Sequence, residues 1–352
     1  VTTRDRPSDF KVLAALLGVF LLAAALRLLI GTSSLGLPGG DAGWEVLALR
    51  GDRLVTASLV GAALAVAGVA LQALLRNPLA EPFILGLSTG AAAGMVGQRL
   101  LAAALGVSLG FGFGGAALGA GVCMMIVYLA SQRHGVLDPL GLLLTGVVLS
   151  TISGALIMLA VHLRPDLLRV ELSQWMMGYL SEDRGAVVSW GRGLLDRDAG
   201  WRVGLPWVFF VVAGIFGLGL GYLLRQAKAM DLATLSSVEA RALGVNLHRL
   251  RRGLFGVSCL LAAGAVVLAG PIAFVGLVCP HVARLLVGPR HRGLLWSSAL
   301  LGATLVILAD TVGAELARRL GVGVVPLGVF TAIVGGGAFL WMLRPHLGRG
   351  VE

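Results

Sequence analysis

The chain has 352 residues, of which 57% are hydrophobic and only 13% charged, with a mean hydropathy of +0.90. Soluble domains average roughly 45–50% apolar and 25% charged residues, so this composition excludes an ordinary water-soluble enzyme and indicates a polytopic membrane protein. The formal net charge of +10 does not signal a nucleic-acid partner, because the basic residues are scattered between apolar runs rather than gathered into one basic domain.

Apolar runs long enough to cross a bilayer fall near residues 11–30, 54–75, 83–105, 111–130, 139–161, 203–224, 253–270, 272–288, 294–313 and 325–343. The expected fold is therefore all-α, with about ten transmembrane helices in a single membrane domain spanning residues 1–352. The first run follows basic residues but lacks a small-residue cleavage site, so it reads as a retained helix. Arg27 and Asp310, near the ends of the first and ninth runs, are expected at the interfaces, where snorkelling or capping accounts for them. Pro280 is expected to mark a helix start. With the N-terminus inside, the larger share of the 28 Lys and Arg falls on the cytoplasmic side, and an even span count returns the C-terminus to the same face.

The second and third runs meet at RNPLAEP, residues 76–82. Pro78 and Pro82 remove two backbone donors and push Asn77 and Glu81 toward extended geometry, so one helix ends near Arg76 and the next begins near Pro82. Non-helical backbone at membrane depth is tolerated only where protein or a water-filled cavity surrounds it, which places this turn at a membrane face or beside a solute path. Gln72, just before it, is an amide inside a helix in lipid and must find a partner on another helix, as packing glue or as a pathway contact.

Absent motifs narrow the chemistry. The two lysines, Lys11 and Lys228, do not follow a phosphate-binding glycine pattern, so nucleotide hydrolysis has to come from another subunit. Cys123, Cys259 and Cys279 lie in or beside apolar runs without metal-ligand spacing, and a buried small hydrophobe is the reading for each. No protease, hydrolase or metalloenzyme signature is present. Secondary transport driven by an ion gradient is the rival class, and it calls for ionisable residues at bilayer depth, which are few here.

Val60–Ala93 and Val257–Leu286 share a pattern: a helix of small residues, a proline break and a second helix. This suggests a weak repeat relating a first half, 54–161, to a second half, 253–343, inverted across the membrane. Between them the segment 225–252 forms the largest cytoplasmic loop. In it Ser236 and Glu239 have capping-box spacing and Gly244 fits the position past a helix end. A helix of two turns is marginal alone in water, so it is held either by a partner or by the rest of the chain.

Taken together, these residues resemble the permease subunits of FecCD-like (BtuC-like) ABC importers, which move iron-siderophore complexes, haem or cobalamin. The matching features run through nearly the whole chain: Arg50 and Arg53, Gln72, RNPLAEPFILGLSTGA, LLLTGVVLS at 142–150, WMMG at 175–178, EARALGV at 239–245, GPIAFVGLVCPHVAR at 270–284 and PLGVFTAIVGG at 326–336. The resemblance implies ten helices per subunit, a homodimer or a dimer of related permeases, two copies of an ATP-binding subunit that carries ATP and Mg, and an extracytoplasmic substrate-binding protein. The chain itself would be non-catalytic and without a cofactor, in a bacterial inner membrane. By position, Asn77 and Leu79 match a cytoplasmic gate, with Pro139 and Leu140 at a second gate segment. Ser236, Glu239, Ala240, Arg241, Ala242, Leu243 and Gly244 match the helix that couples to the ATPase. Arg50 and Arg53, with Arg318 and Arg319 more loosely, match arginines that dock the binding protein.

The chain departs from that pattern at three places. Pro139, Leu140 and Gly141 stand where small hydroxyl residues are usual, Val324 and Val325 replace an acidic and an aliphatic residue before PLGV, and Gly337 replaces a proline.

Overall fold

In the computed structural model of the chain, residues 9–31, 35–36, 39, 43–107, 113–133, 136–180, 206–321 and 325–347 are described. Twelve α-helices lie among them: α1 (Asp9–Leu29), α2 (Gly43–Leu75), α3 (Leu87–Leu105), α4 (Phe113–Ala130), α5 (Pro139–Leu163), α6 (Pro165–Met176), α7 (Pro206–Leu232), α8 (Ser237–Ala242), α9 (Leu247–Ala269), α10 (Val275–Val287), α11 (His291–Leu320) and α12 (Leu327–Leu347). A 3-10 turn, Pro82–Leu85, precedes α3, and strands β1 (Gln132–Arg133) and β2 (Val136–Leu137) pair antiparallel between α4 and α5. Each of the ten expected spans coincides with a helix, and α6 and α8 are additional. Seven helices are long and apolar enough to cross a membrane, while α10 and the apolar part of α12 are shorter. Most of the long 162–202 segment, and Val324, lie outside the described residues.

The core is organised around α2. Ala57, Val60, Ala63, Val66, Ala70 and Leu71 have no exposed surface, as a helix apolar on every side requires. It begins at Gly43 rather than near residue 54, because Arg50, Asp52 and Arg53, which read as loop residues, lie within the helix and are buried. Close approach depends on absent side chains. A Cβ on Gly61 would lie 2.1 Å from the Gly302 carbonyl oxygen of α11, and one on Gly302 would lie 2.2 Å from that of Gly61. Without a water-driven hydrophobic force between helices in lipid, such backbone contact is the main source of helix association.

Two further breaks complete the frame. The turn after α2 places its 3-10 segment against α5, where Ile84 and Leu85 leave no room for a Cβ on Gly146. On the other side of α2, the segment between α9 and α10 meets residues 177–179 and the start of α12: Tyr179 donates its N–H to the Ala269 carbonyl at 2.8 Å, and Leu327 and Gly328 donate to Gly178 and Met177. These irregular segments satisfy one another's backbone groups.

Gly302→Val should push the α2 backbone away from α11 and destabilise the protein by roughly 3 kcal/mol or more. The measurement is the thermal unfolding midpoint in detergent, with Gly97→Ala, which meets nothing within 4 Å, expected to leave it unchanged or slightly raised.

Candidate functional site

The turn between α2 and α3 is built from a strained helix end. Arg76 adopts φ 50, a left-handed conformation usually left to glycine, and Asn77 donates its N–H to the Gln72 carbonyl at 3.2 Å to close the last turn. Asn77 then uses its side-chain oxygen to accept from the Leu79 N–H at 3.0 Å, which fixes the chain direction before Pro82. Asn77 and Leu79 are exposed, whereas Ala80 and Pro82 are buried. Glu81 turns inward and accepts the N–H of Phe274, the residue at φ 68 that opens α10. A carboxylate there faces the positive end of the α10 dipole.

Gln72 has a specific task at the same level. Pro280 lies inside α10 rather than at its start, so the Gly276 carbonyl, four residues earlier, receives no helical N–H. The Gln72 amide lies 3.4 Å from that carbonyl, and Arg284 approaches the Gln72 oxygen at 3.4 Å. The expectation of a partner on another helix is met by a backbone oxygen that a proline had orphaned. The reason α10 starts earlier than Pro280 is that Phe274 and Glu81 supply the helix opening instead.

Pro139 occupies the first position of α5, with Asp138 as its cap accepting from the Gly141 N–H at 3.0 Å. Leu140 is 62% exposed. Among the described residues no hydrogen bond joins Asn77 or Leu79 to Pro139 or Leu140; the 3-10 turn that follows the first pair packs on α5 at Gly146.

At the same end, α8 forms with both capping-box bonds: Ser236 Oγ accepts from the Glu239 N–H at 3.2 Å, and Glu239 Oε2 accepts from the Ser236 N–H at 3.0 Å. Gly244 follows at φ 83. Ala240 is fully buried and anchors α8 to the body, so it is not available as a surface contact, which corrects its assignment to a docking face. Leu235, Val238 and Leu243 are exposed, Val238 by 78%, and Arg241 and Ala242 are exposed beside them. Sequence reading missed the clamp behind this helix: Asp231 accepts from the His291 N–H at 2.9 Å and lies 2.7 Å from its Nδ1, tying the end of α7 to the start of α11. A lone aspartate and histidine sixty residues apart offered no signal.

The other end of α2 differs most from expectation. Arg27 of α1 and Arg53 of α2 both engage Asp310 of α11, with Arg53 Nη2 2.5 Å from Oδ1. Arg50 donates to the carbonyls of Leu28 at 2.7 Å and Gly36 at 2.8 Å. All four side chains are buried, so Arg27 and Asp310 do not snorkel, and Arg50 and Arg53 are turned into the protein instead of presenting a docking rim. In a low dielectric the shared carboxylate of α11 is the cheaper partner for arginines on two neighbouring helices, α1 and α2. Arg318 and Arg319 both pair with Glu315, and Arg319 remains 71% exposed.

This arrangement of broken helices around a buried axis, with a capped helix at one end, is matched by known proteins. Residues 11–345 fit the FecCD transport family. The chain belongs to that family. Its relatives include the vitamin B12 import system permease protein BtuC of Vibrio cholerae serotype O1, 38% identical over 94% of this chain and 93% of that protein. Another is the hemin transport system permease protein HmuU of Yersinia pestis, 33% identical over 92% of this chain and 88% of that one. A solved inward-facing structure assigned to the metal-chelate type of ABC transporter superposes with a TM-score of 0.76 at 30% identity, covering 96% of this chain and 99% of its own. The chain is an all-α, multi-pass permease of the FecCD type, a transport component.

Asp310→Asn leaves two buried guanidinium groups facing one neutral amide and should cost about 3–5 kcal/mol. Replacing Arg27, Arg53 and Asp310 together by apolar residues of similar volume should recover most of that loss, read as unfolding midpoints in detergent. The hydrogen bonds from Ser236 hold the Glu239 carboxyl below its usual range. A depressed acid stabilises above its unfolded pKa and loses that contribution as pH falls through the folded one, so α8 should stay capped at neutral pH and loosen only below roughly pH 4. Hydrogen exchange of the 239–243 amides across that range checks the sign.

Proposed function

We propose that the permease carries a metal chelate inward across a bacterial cell membrane, with cobalamin as the first candidate cargo and haem or a ferric siderophore as the others. The observation that carries this reading is that the vitamin B12 and hemin permeases named above match almost from end to end. The pathway forms where two copies of the chain meet, the ATP and Mg are held by a separate subunit, present twice, and a binding protein delivers the cargo from outside. Both termini then lie in the cytoplasm. The apolar flanks of α4 and α5, including Leu118, Val122, Leu144 and Val148, are exposed and suit lipid or the second copy.

In this reading α8 is the coupling element. Its inner side is fixed by Ala240, and its outer apolar face, Leu235, Val238 and Leu243, fits a cleft on the ATPase. The gate is Asn77 to Leu79 on one side and the start of α5 on the other. With Arg50 and Arg53 internal, Arg318 and the more exposed Arg319 are the members of that set that can meet acidic groups of the binding protein, and such a rim contact acts mainly on association rate.

The test is ATP hydrolysis by the purified permease, alone and co-expressed with its ATP-binding subunit, in lipid with binding proteins loaded with cobalamin, haem or ferric siderophore. Activity that requires the subunit and rises with one loaded binding protein supports the proposal and names the cargo. Uptake that instead follows a proton or sodium gradient, without nucleotide, overturns it. Leu243→Asp should uncouple hydrolysis from uptake by tenfold or more, equivalent to about 1.4 kcal/mol of docking energy, with Ala240→Asp lowering folded yield instead. Arg319→Glu should slow binding-protein association at low salt, with the effect fading as salt rises past a Debye length of about 10 Å.

A further inference from the structure

Phe274 stands where the opening of α10, the turn after α2 and the middle of α12 meet. It holds φ 68, a left-handed conformation that is a steric outlier for a bulky residue. Its N–H donates to the Glu81 carboxylate in the turn after α2. Its side chain fills the notch left by Gly335 of α12, where the three atoms nearest an added Cβ are the Cβ, Cγ and Cδ2 of Phe274. At the next residue, Gly336, only the far end of the ring comes near, at 3.8 Å. The two breaks also touch directly: Pro82 Cδ lies 2.9 Å from where a Cβ on Gly276 would stand, so the turn after α2 is seated on the first turn of α10. Within that turn Ala80, flanked by the exposed Leu79 and the partly buried Glu81, shows only 1% of its surface. A strained residue persists only while its surroundings over-determine it. For Phe274 those surroundings are one acceptor from the α2 turn and one notch on α12.

We infer that Glu81 and Phe274 are paired positioning residues of the transport cycle, forming a latch that ties the gate turn to α12 and that breaks when the gate changes state. The inference rests on the reading of that turn as a gate. Removing the acceptor leaves a partly buried N–H without a partner, and an unmade bond of this kind costs more than a made one contributes. Only the Gly335 notch then holds the left-handed backbone. Phe274 relaxes to the negative φ open to every L-residue, its Cβ and ring leave the notch, and Pro82 loses its seat on Gly276. The reverse order works as well: a change on α12 that expels Phe274 withdraws its N–H from Glu81 and frees the turn. Neighbouring polar side chains do not replace the Glu81 oxygen, because Gln72 is engaged with Gly276 and Asn77 with Leu79. Coupling between distant elements requires a part with two discrete arrangements that both can bias. A bulky residue kept on the left-handed side of φ by two removable contacts is such a part.

The reporter is Ala80→Cys, buried while the latch is closed. The full chain carrying it is placed in lipid nanodiscs, which leave both faces accessible, and labelling by a soluble maleimide is followed, with the slow reaction of the buried Cys123, Cys259 and Cys279 subtracted. Without nucleotide, Glu81→Ala should raise the labelling rate about fivefold, the change in open population that one hydrogen bond of ordinary net strength controls. Glu81→Gln keeps an acceptor oxygen and should stay near the parent rate. Gly335→Ala should raise the rate as Glu81→Ala does, though from another helix, because its Cβ collides with that of Phe274. Adding Phe274→Gly to that chain should restore the parent rate, since glycine removes the colliding atoms and adopts φ 68 without strain. Gly336→Ala should change nothing. In the complex with the ATP-binding subunit, ATP should speed labelling of the parent severalfold. A merely structural role for the two residues predicts no rescue by Phe274→Gly and no response to ATP, and either result overturns the inference. So does an unchanged rate in Glu81→Ala and Gly335→Ala, or an equal effect of alanine and glutamine at 81. Where Glu81→Ala fails to fold, the Gly335→Ala and Phe274→Gly pair decides. Failure of any ATP-binding subunit to associate counts against the importer reading, and is distinguished from failure of the latch by the nucleotide-free comparison.

Discussion

A helix broken inside hydrocarbon leaves backbone groups that water cannot reach, and the whole arrangement follows from how those groups are satisfied. Here the decisive bond runs from the Phe274 N–H to the Glu81 carboxylate. It joins the turn after α2 to the opening of α10, two breaks far apart in sequence. The Gln72 amide beneath it supplies a donor toward Gly276, whose own was removed by Pro280. Neither break is stable alone. Each is tolerated because the other supplies its missing partner, and α2, buried along its middle turns, holds both in register.

Charge plays the same part at the opposite end. Asp310 gathers Arg27 and Arg53 and so binds α1, α2 and α11 at one point. A buried network of this kind contributes little net stability compared with well-packed apolar side chains, because desolvation offsets the attraction. What it does provide is a penalty for wrong arrangements: sliding α11 by one turn past α2 would leave three charges unmatched. Helices that meet through glycines, as Gly61 and Gly302 do, have smooth surfaces with little to oppose such sliding, so the charged contact and the bare backbone contact complement each other.

Much of this was legible in the sequence. The ten spans, the break at RNPLAEP, the capping box at Ser236 and the stop at Gly244 were readable because they rest on local chemistry: hydropathy, proline's missing donor, and side chains that bond their own backbone. What was not legible depends on distant partners. Arg50 and Arg53 read as an outer docking surface because the resemblance placed them there, and only the position of Asp310, more than 250 residues away, turns Arg53 inward. Pro280 read as a helix start for the same reason, since Glu81 had to be brought to Phe274 before an earlier start became favourable. Ala240 looked like its neighbours in a short exposed helix, and nothing local marks the one face that is anchored.

The placement of α8 ties it mechanically to the turn after α2. α8 is too short to hold itself together and is fixed on its inner side by Ala240, so it moves with the ends of α7 and α9 that flank it. Those two ends, through Met230, Ala233, Leu247, Leu250 and Leu254, line the same hollow as Ala73 and Leu74 at the end of α2. The clamp from Asp231 to His291 stiffens the rear of that unit against α11. A displacement of α8 would therefore reach the last turn of α2 and the strained Arg76, and from there the turn that ends at Glu81. Because close-packed contacts shift between discrete arrangements rather than deforming smoothly, a small movement at α8 would leave the Phe274 N–H either on Glu81 or free of it. A half-buried hydrogen bond to a broken helix suits that choice, since the bond is strong while protein surrounds it and is readily replaced once water enters.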